Sequence, residues 1–352
     1  MTYYIQYGRL LCAKAYGSVF LYMGTGSTPL IPYVKPYLPI PAQVQLLLKR
    51  HMVINDLPSA ADWLKRIGYY RFSGYAYPFR KSYVKANQTT GVSEVVVLEE
   101  FQAGTTFQQV VDLYLFDKSL RALFLDAIEV IEIGLRVEIA LLLGMRNPLA
   151  HHDPNQFDAK FSSSPPTMES RHTKWLRKQR ERFHDSNEEF VKHFKAQYRG
   201  DPPIWMAIEL WDFGMMSVLM DGMKTIDKAK ISAQFGLIRP NILPSWTRNL
   251  NVVRNICAHH SRLWNRSLAS VTPILPRLAE IPALDHLVVL KHAQTRVYAS
   301  AAILQHLQKV IYPMNDWKDR LKMLVASFPR SGGVNVAQCG FSKNWEQLSL
   351  WL

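Results

Sequence analysis

TFQQVVDLYLFDKSLRALFLDAIEVIEIGLRVEIALLL, residues Thr106 to Leu143, predicts one uninterrupted helix of about ten turns. Thr106 and Gln109 are spaced as the reciprocal capping pair that opens a helix. Gly144 closes it. Asp117 with Arg121 and Glu132 with Arg136 stand four apart in the favourable order. Glu129, Glu132 and Arg136 share one face. That face is either solvated and salt-bridged, or its carboxylates hold arginines of another helix. A helix this long, flanked by further segments of helical period, makes the chain all-α.

On the N-terminal side the patterning is uneven. Residues 1–33 are poorly patterned, and GTGSTPLIP reads as linker, so an extension outside the core, only partly ordered, is expected. Residues 34–104 form a helical, aromatic subdomain. Within it, Pro41–Met52 and Pro58–Ile67 read as short helices, the second stopped by Gly68. GYYRFSGYAYPFRKSY, residues 68–83, interleaves seven aromatics with Arg71, Arg80 and Lys81. Such a stretch can stack bases and hold phosphates, with Arg71 as an RNA contact. Side chains so close in sequence fit packing between helices better. EVVVL, residues 94–98, is the one convincing strand, half of a small hairpin around the loop 85–91.

The C-terminal side carries the charge. Residues 105–328 read as the helical core, with a basic insertion at about 160–200, and residues 329–352 as a tail docking on it. RHTKWLRKQRER, Arg171 to Arg182, is basic on nearly every side of a helix. Arg171, Lys174, Arg177 and Lys178 there read as phosphate contacts. Pro202–Asp221 is expected to be a core helix, and the DFG at Asp212–Gly214 has no kinase context. Ile226–Phe235, Asp285–Val310 and Asn315–Ser327 complete the set.

SWTRNLNVVRNICAHHSRLWNR, Ser245 to Arg266, reads as a six-turn helix with Ser245 as its N-cap. At about 100° per residue it sorts into two arcs. Trp246, Leu250, Val253, Ile256, Cys257, Leu263 and Trp264 are apolar. Arg248, Asn251, Arg254, Asn255, His259, Arg262 and Arg266 share the other arc, with no carboxylate. His260 falls among the apolar residues and is expected to be a core histidine. His259 falls near Arg248, Asn255 and Arg266, where positive charge favours neutral imidazole, a general base near pH 7. Arg254 and His259 lie about 140° apart on an ideal helix. A site using both needs either a distorted helix or two copies across a two-fold axis. RNPLAHH, Arg146 to His152, echoes RNICAHH. Pro148 excludes an interior helical turn there. The echo reads as a coincidence in a loop, with an RNA contact or a second site as the remaining reading.

The chain has 352 residues, 48% hydrophobic, and 42 Lys and Arg against 28 Asp and Glu, a net charge of +14. That excess points to a polyanionic partner, nucleic acid before an anionic membrane surface. Cys12, Cys257 and Cys339 fit no metal-ligand spacing, and a reducing, cytoplasmic setting is expected. No run is long and apolar enough to span a membrane, and a signal peptide is not indicated. Neither a phosphate-cradling Gly-Lys loop nor a metal-binding His pair is present, so no cofactor and no metal are expected.

RNICAHHSRLWNR resembles the Arg-x4-6-His motif of HEPN-domain ribonucleases. With INDLPSAADWLKRIGYYRFSGYAYPF, VDLYLFDKSLRALFLDAIEVIEIGLR and WDFGMMSVLM in this order, the chain resembles bacterial abortive-infection proteins of the Abi-like (AbiD/AbiF) family over roughly residues 35–350. The resemblance implies a HEPN-like helical bundle with accessory helices and a small β-hairpin. It implies a homodimer that brings two motifs together, and metal-independent RNA cleavage in phage defence or a toxin–antitoxin system. It also implies restraint by a small RNA or an antitoxin protein. Arg254, Asn255 and His259 take the motif positions; His260-Ser261 follow where some relatives place x-Tyr. The alternative is a non-catalytic RNA-binding protein that sequesters, or is scaffolded by, a small structured RNA. A protein–protein scaffold with a buried polar network is the third reading.

Overall fold

The computed structural model of the chain describes residue 32 and residues 36–86, 93–329 and 332–352. The expected extension at 1–33 lies almost wholly outside the described residues, as does most of the hairpin loop at 85–91. Among the described residues the chain is all-α apart from one two-stranded antiparallel sheet. Its helices are α1 (Ile40–Lys49), α2 (Leu57–Ile67), α3 (Tyr69–Ala76), α4 (Phe107–Gly144), α5 (Ala159–Ser162), α6 (Arg171–Asp185), α7 (Glu189–Gln197) and α8 (Ile204–Ala207). They continue with α9 (Phe213–Gly222), α10 (Thr225–Gln234), α11 (Ile242–Ala258), α12 (Asp285–Val289), α13 (Lys291–Gln294), α14 (Val297–Ile311) and α15 (Trp317–Ala326). The strands are β1 (Arg80–Ala86) and β2 (Ser93–Phe101).

The chain divides into two units. One holds the segment up to Phe116 together with 328–335. In it, Asp56 caps α2 by accepting from the Ser59 N–H at 2.9 Å, and Gly68 ends the helix at φ +77°. That conformation is one only glycine adopts freely. The strands pair Ser82 with Val97 and Ala86 with Ser93, with an irregularity between Arg80 and Ser82. Phe72, Tyr75 and Phe79 are buried, Phe72 stacking on Phe107 at 4.4 Å. Part of the aromatic run is thus spent on packing, while Tyr70, Tyr77 and Tyr83 stay exposed.

The other unit holds 117–327 and 336–352. Most of α4 belongs to it. The capping pair that opens α4 lies in the first unit and forms as expected: Thr106 Oγ1 accepts from the Gln109 N–H at 3.1 Å, and Gln109 Oε1 accepts from the Thr106 N–H at 2.9 Å. Trp317 Nε1 donates to the Leu123 carbonyl, and Trp351 Nε1 to the Tyr298 hydroxyl at 3.0 Å. Phe341, Trp345 and Trp351 surround Tyr298, so the end of the chain fills this unit's core.

Two long helical readings break. Pro202–Asp221 is not one helix, because Asp212 adopts an extended backbone and accepts from the Met215 N–H at 2.7 Å, capping α9. The aspartate of the DFG triplet is therefore a helix cap. Asp285–Val310 splits into α12, α13 and α14, with non-helical backbone at Leu290 and Arg296.

Candidate active site at the end of α11

α11 begins at Ile242, three residues before the expected cap. Pro244 is tolerated there because first-turn amides have no helical acceptor. Ser245 is therefore inside the helix, and its Oγ accepts from the Ile274 N–H at 2.9 Å. Trp246 Nε1 donates to the Ile274 carbonyl at 2.7 Å, and Asn249 links the Val271 carbonyl to Ser300. The buried side of α11 is thus anchored by polar as well as apolar contacts.

The helix ends at Ala258, not near Arg266. The His260 N–H donates to the Cys257 carbonyl at 3.0 Å and the Ser261 N–H to the Ile256 carbonyl at 2.9 Å, while His260 takes φ +55°. These are the paired bonds of a left-handed helix stop, with histidine where glycine is usual. The stop overturns the core placement of His260. The chain turns away there, the helical projection no longer applies, and His260 is exposed.

Asp117 holds the segment that leaves the helix. Its buried carboxylate accepts from the Trp264 N–H at 2.7 Å and the Leu263 N–H at 3.2 Å, and pairs with Arg121. The Asp117–Arg121 pair is therefore a core device that turns Leu263 and Trp264 inward, not a surface pair. Beside it, burial pushes the Cys257 thiol up to about 12, helped by Asp117, so it is no nucleophile near neutral pH.

Between Arg254 and His259 the helix is regular, and the His259 N–H still bonds the Asn255 carbonyl at 3.0 Å. Arg248, Asn255 and His259 are exposed and line one face. Arg254, half-buried, turns to another side. There it meets the field of Glu132 on α4. Glu132 Oε1 accepts from Arg136 at 2.8 Å, and the same Arg136 nitrogen donates to the Trp211 carbonyl at 2.9 Å. Burial pushes the Glu132 carboxyl above the ordinary carboxylate range. Arg136 and Arg254 pull it back, while Asp212 and Glu129 push it further up. Of the two readings of the Glu129–Arg136 face, Glu132 supports the one in which a carboxylate faces an arginine of α11. Glu129 remains exposed.

α11 packs against the first turn of α9, where Asn251 lies beside Gly214. A Cβ at Gly214 would lie 3.5 Å from both Asn251 amide atoms and 3.1 Å from Asp212 Oδ1. Asp212 also pairs with Arg182 and lies 3.5 Å from Lys178. At the other end of α9, Asp221 accepts from Arg248 at 3.0 Å and from Arg171 at 3.2 Å. The structure thus brings Arg171 and Arg248 together on one carboxylate. The two acidic ends of α9 steady cations from α6 and α11.

The other expected phosphate contacts are dispersed. Arg177 pairs with Glu181 at 3.2 Å and Glu169 at 3.6 Å, and Lys174 is exposed on α6. Arg262 and Arg266 fall after the helix stop, Arg262 half-buried and Arg266 exposed. Arg71 is exposed on α3, in the other unit. No sequence signal marks Asp212 and Asp221 as partners of the basic groups. Their carboxylates are distant in the chain, and no spacing links them to α11.

The echo Arg146–His152 forms a different object. Arg146 grips the fully buried Asp227 with two nitrogens, one at 2.9 Å. His151 is fully buried, with neither ring nitrogen hydrogen-bonded. Burial pushes its imidazole down to about 3, with His152, His172 and Arg180 adding to the effect. Its carbonyl bonds His172 Nε2 at 2.9 Å. No group of three metal-ligating side chains is assembled among the described residues, and no helix among them is long and apolar enough to cross a membrane.

The chain matches the family described as Abi-like protein over residues 62–265, more than half its length. No curated protein matches it, and no solved structure does.

Proposed function

The chain belongs to the Abi-like protein family, and from that premise we propose a metal-independent endoribonuclease of phage defence or a toxin–antitoxin system. The observation that carries this reading is the end of α11. Asn255 and His259 stand exposed beside Arg248, while Arg254 is half-buried and faces a carboxylate already engaged by Arg136.

Cleavage through the 2′-hydroxyl needs three things: removal of its proton, stabilisation of the charged phosphorane, and a proton for the departing 5′-oxygen. His259 acts as base or acid. Arg254 holds the phosphate, its forked donors matching two oxygens. Asn255 orients the imidazole or the phosphate. The products are a 2′,3′-cyclic phosphate and a 5′-hydroxyl. With α11 regular between residues 254 and 259, one helix presents the two groups on different sides. A HEPN-type composite site from two copies joins the Arg254 of one to the His259 of the other.

Arg171 and Arg248, joined on Asp221, extend the polar face as phosphate contacts. Surface ion pairs of this kind are weak enough to exchange carboxylate for phosphate. The same basic face supports the second reading, a non-catalytic RNA-binding protein. Digestion of a mixed RNA pool by chelator-treated protein separates the two. Cyclic-phosphate ends made by the wild type and lost in His259→Ala and Arg254→Ala support the enzyme. Tight binding with every RNA left whole supports the binder.

A further inference from the structure

Glu132 lies between two arginines and is bonded to only one of them. Its Oε1 accepts from Arg136 at 2.8 Å. Arg254 acts on the same carboxylate through its field, yet it forms no ion pair among the described residues. Packing brings both cations to this place. Arg136 stands one turn after Glu132 on α4, in the order that favours pairing. The same Arg136 nitrogen donates to the Trp211 carbonyl at 2.9 Å, and its other terminal nitrogen lies 3.7 Å from Glu209. Trp211 precedes Asp212, which caps α9 where Asn251 of α11 lies beside Gly214. Arg254 follows Asn251 by three residues, on the same side of α11. Contacts thus run from Arg136 through the α9 cap to the side of α11 that carries Arg254.

Stability alone does not favour this arrangement. Arg136 Nε is buried without a hydrogen-bond partner, and such an orphan is a cost to the fold. A largely buried pair of charges gains little over apolar side chains of similar size. What the pair does accomplish is to spend the Glu132 charge. A guanidinium whose fork is closed on a carboxylate cannot close it on a phosphate. With Arg136 on Glu132, the Arg254 donors stay open, while the carboxylate's field still holds that cation in its half-buried place. The other carboxylates nearby do not compete: Asp212 is engaged by Arg182 and Lys178, and Glu129 is exposed.

We propose that Arg136 is a positioning residue: it occupies Glu132, so that Glu132 does not capture Arg254 and the Arg254 fork stays open for a phosphodiester. The proposal rests on the reading of Arg254 as the phosphate holder and deepens it by naming what keeps that arginine available. Without Arg136, Glu132 and Arg254 are the opposite charges left facing each other, and they close into an ion pair.

The test uses the full chain and a fluorescein-labelled oligoribonucleotide whose 2′-hydroxyls are methylated, so that it binds but cannot be cut. Fluorescence anisotropy reads its dissociation constant. Arg136→Gln, which keeps a donor for the Trp211 carbonyl, is expected to weaken binding by about tenfold, the worth of one charge-assisted contact. Adding Glu132→Gln should restore binding to within about threefold of the wild type. In the Arg254→Ala background the same Arg136→Gln should cost nothing further, because Arg136 acts through Arg254. A double variant that binds no better than Arg136→Gln overturns the proposal. So does an equal loss in the Arg254→Ala background, which would mean that Arg136 attracts RNA by its own charge. A second readout needs neither RNA nor a variant: mapped by mass spectrometry, phenylglyoxal should modify Arg254 of the wild type faster than Arg136. The reverse order overturns the proposal even if Arg136→Gln does not fold. Unmethylated RNA separates this role from the ribonuclease reading. If the binding pattern holds while that RNA stays whole, the enzyme falls and the positioning role stands. If the RNA is cut but the rescue is absent, the positioning role falls and the enzyme stands. A wild type that neither binds nor cuts RNA overturns both.

Discussion

Residues 146–152 and 254–260 share Arg-Asn at the start and Ala-His-His at the end, yet they are opposite kinds of structure. At 146–152 the arginine is consumed by Asp227, and the first histidine is sealed in the core without a hydrogen-bond partner. At 254–260 the arginine lies half-buried near a carboxylate that Arg136 already holds, and the first histidine is exposed at the helix end. The difference lies in the non-identical residues of each segment and in the elements packed around it. Pro148 and the end of α4 force the first into short 3-10 turns. The second remains helical to Ala258 and is stopped only by the bonds around His260. Five identical residues in seven therefore specify neither burial nor chemistry.

The contrast can be broken most directly through activity. His259→Ala is expected to lower RNA cleavage by about 10²–10⁴-fold, the usual worth of a positioned acid or base, while His151→Phe leaves it within a factor of two. Equal losses in single-turnover assays would show that the two segments share a function. Next in size is the ion pair of the echo. Asp227→Ala strands the Arg146 guanidinium at a buried site and is expected to destabilise the fold by about 3 kcal/mol, the low end for a broken buried pair because Arg146 reaches solvent. Urea denaturation measures it; a change under 1 kcal/mol would make that clamp decorative.

Acid supplies a smaller effect. His151 is neutral in the fold, pushed down to about 3 against 6.5 when unfolded. Its contribution is therefore fully present above pH 6.5 and is lost progressively as pH falls toward 3. By pH 5 that loss is about 2 kcal/mol. The wild-type melting temperature should fall across this range more steeply than that of His151→Phe, and parallel curves would deny the histidine this role. The least change concerns the helix stop. His260→Gly relieves a left-handed conformation and should be neutral or stabilising by up to about 1 kcal/mol. Cleavage should persist, since His260 is outside the proposed machinery; its loss would move the catalytic assignment by one residue.

Much of the helical order was legible because it is local. The capping pair at Thr106 and Gln109, the i,i+4 spacing along α4, and Gly68 after α2 all act within a few residues. The errors share a cause as well. Ser245 is a good cap by type, but Ile274 takes its hydroxyl and the helix starts earlier. His260 projects into the core only if the helix continues, and it does not. Asp117 and Arg121 do pair as their spacing says, and only the burial of the pair was illegible, because it follows from Leu263 and Trp264, about 146 residues later. Of the candidate site, Arg254, Asn255 and His259 were marked by type and charge pattern. Glu132 was marked only as one of two carboxylates able to face an arginine, and Asp221, the shared partner of Arg171 and Arg248, was not marked at all.

The sequence by itself determined the helical class, the long central helix, the basic excess and an acid-free polar face on α11, because period, capping and charge are read within a few turns. Tertiary structure alone decided which arginines are spent on buried carboxylates, where α11 stops, and which histidine reaches solvent. Those outcomes depend on acceptors brought from far along the chain and on the cost of leaving a buried polar group unpaired.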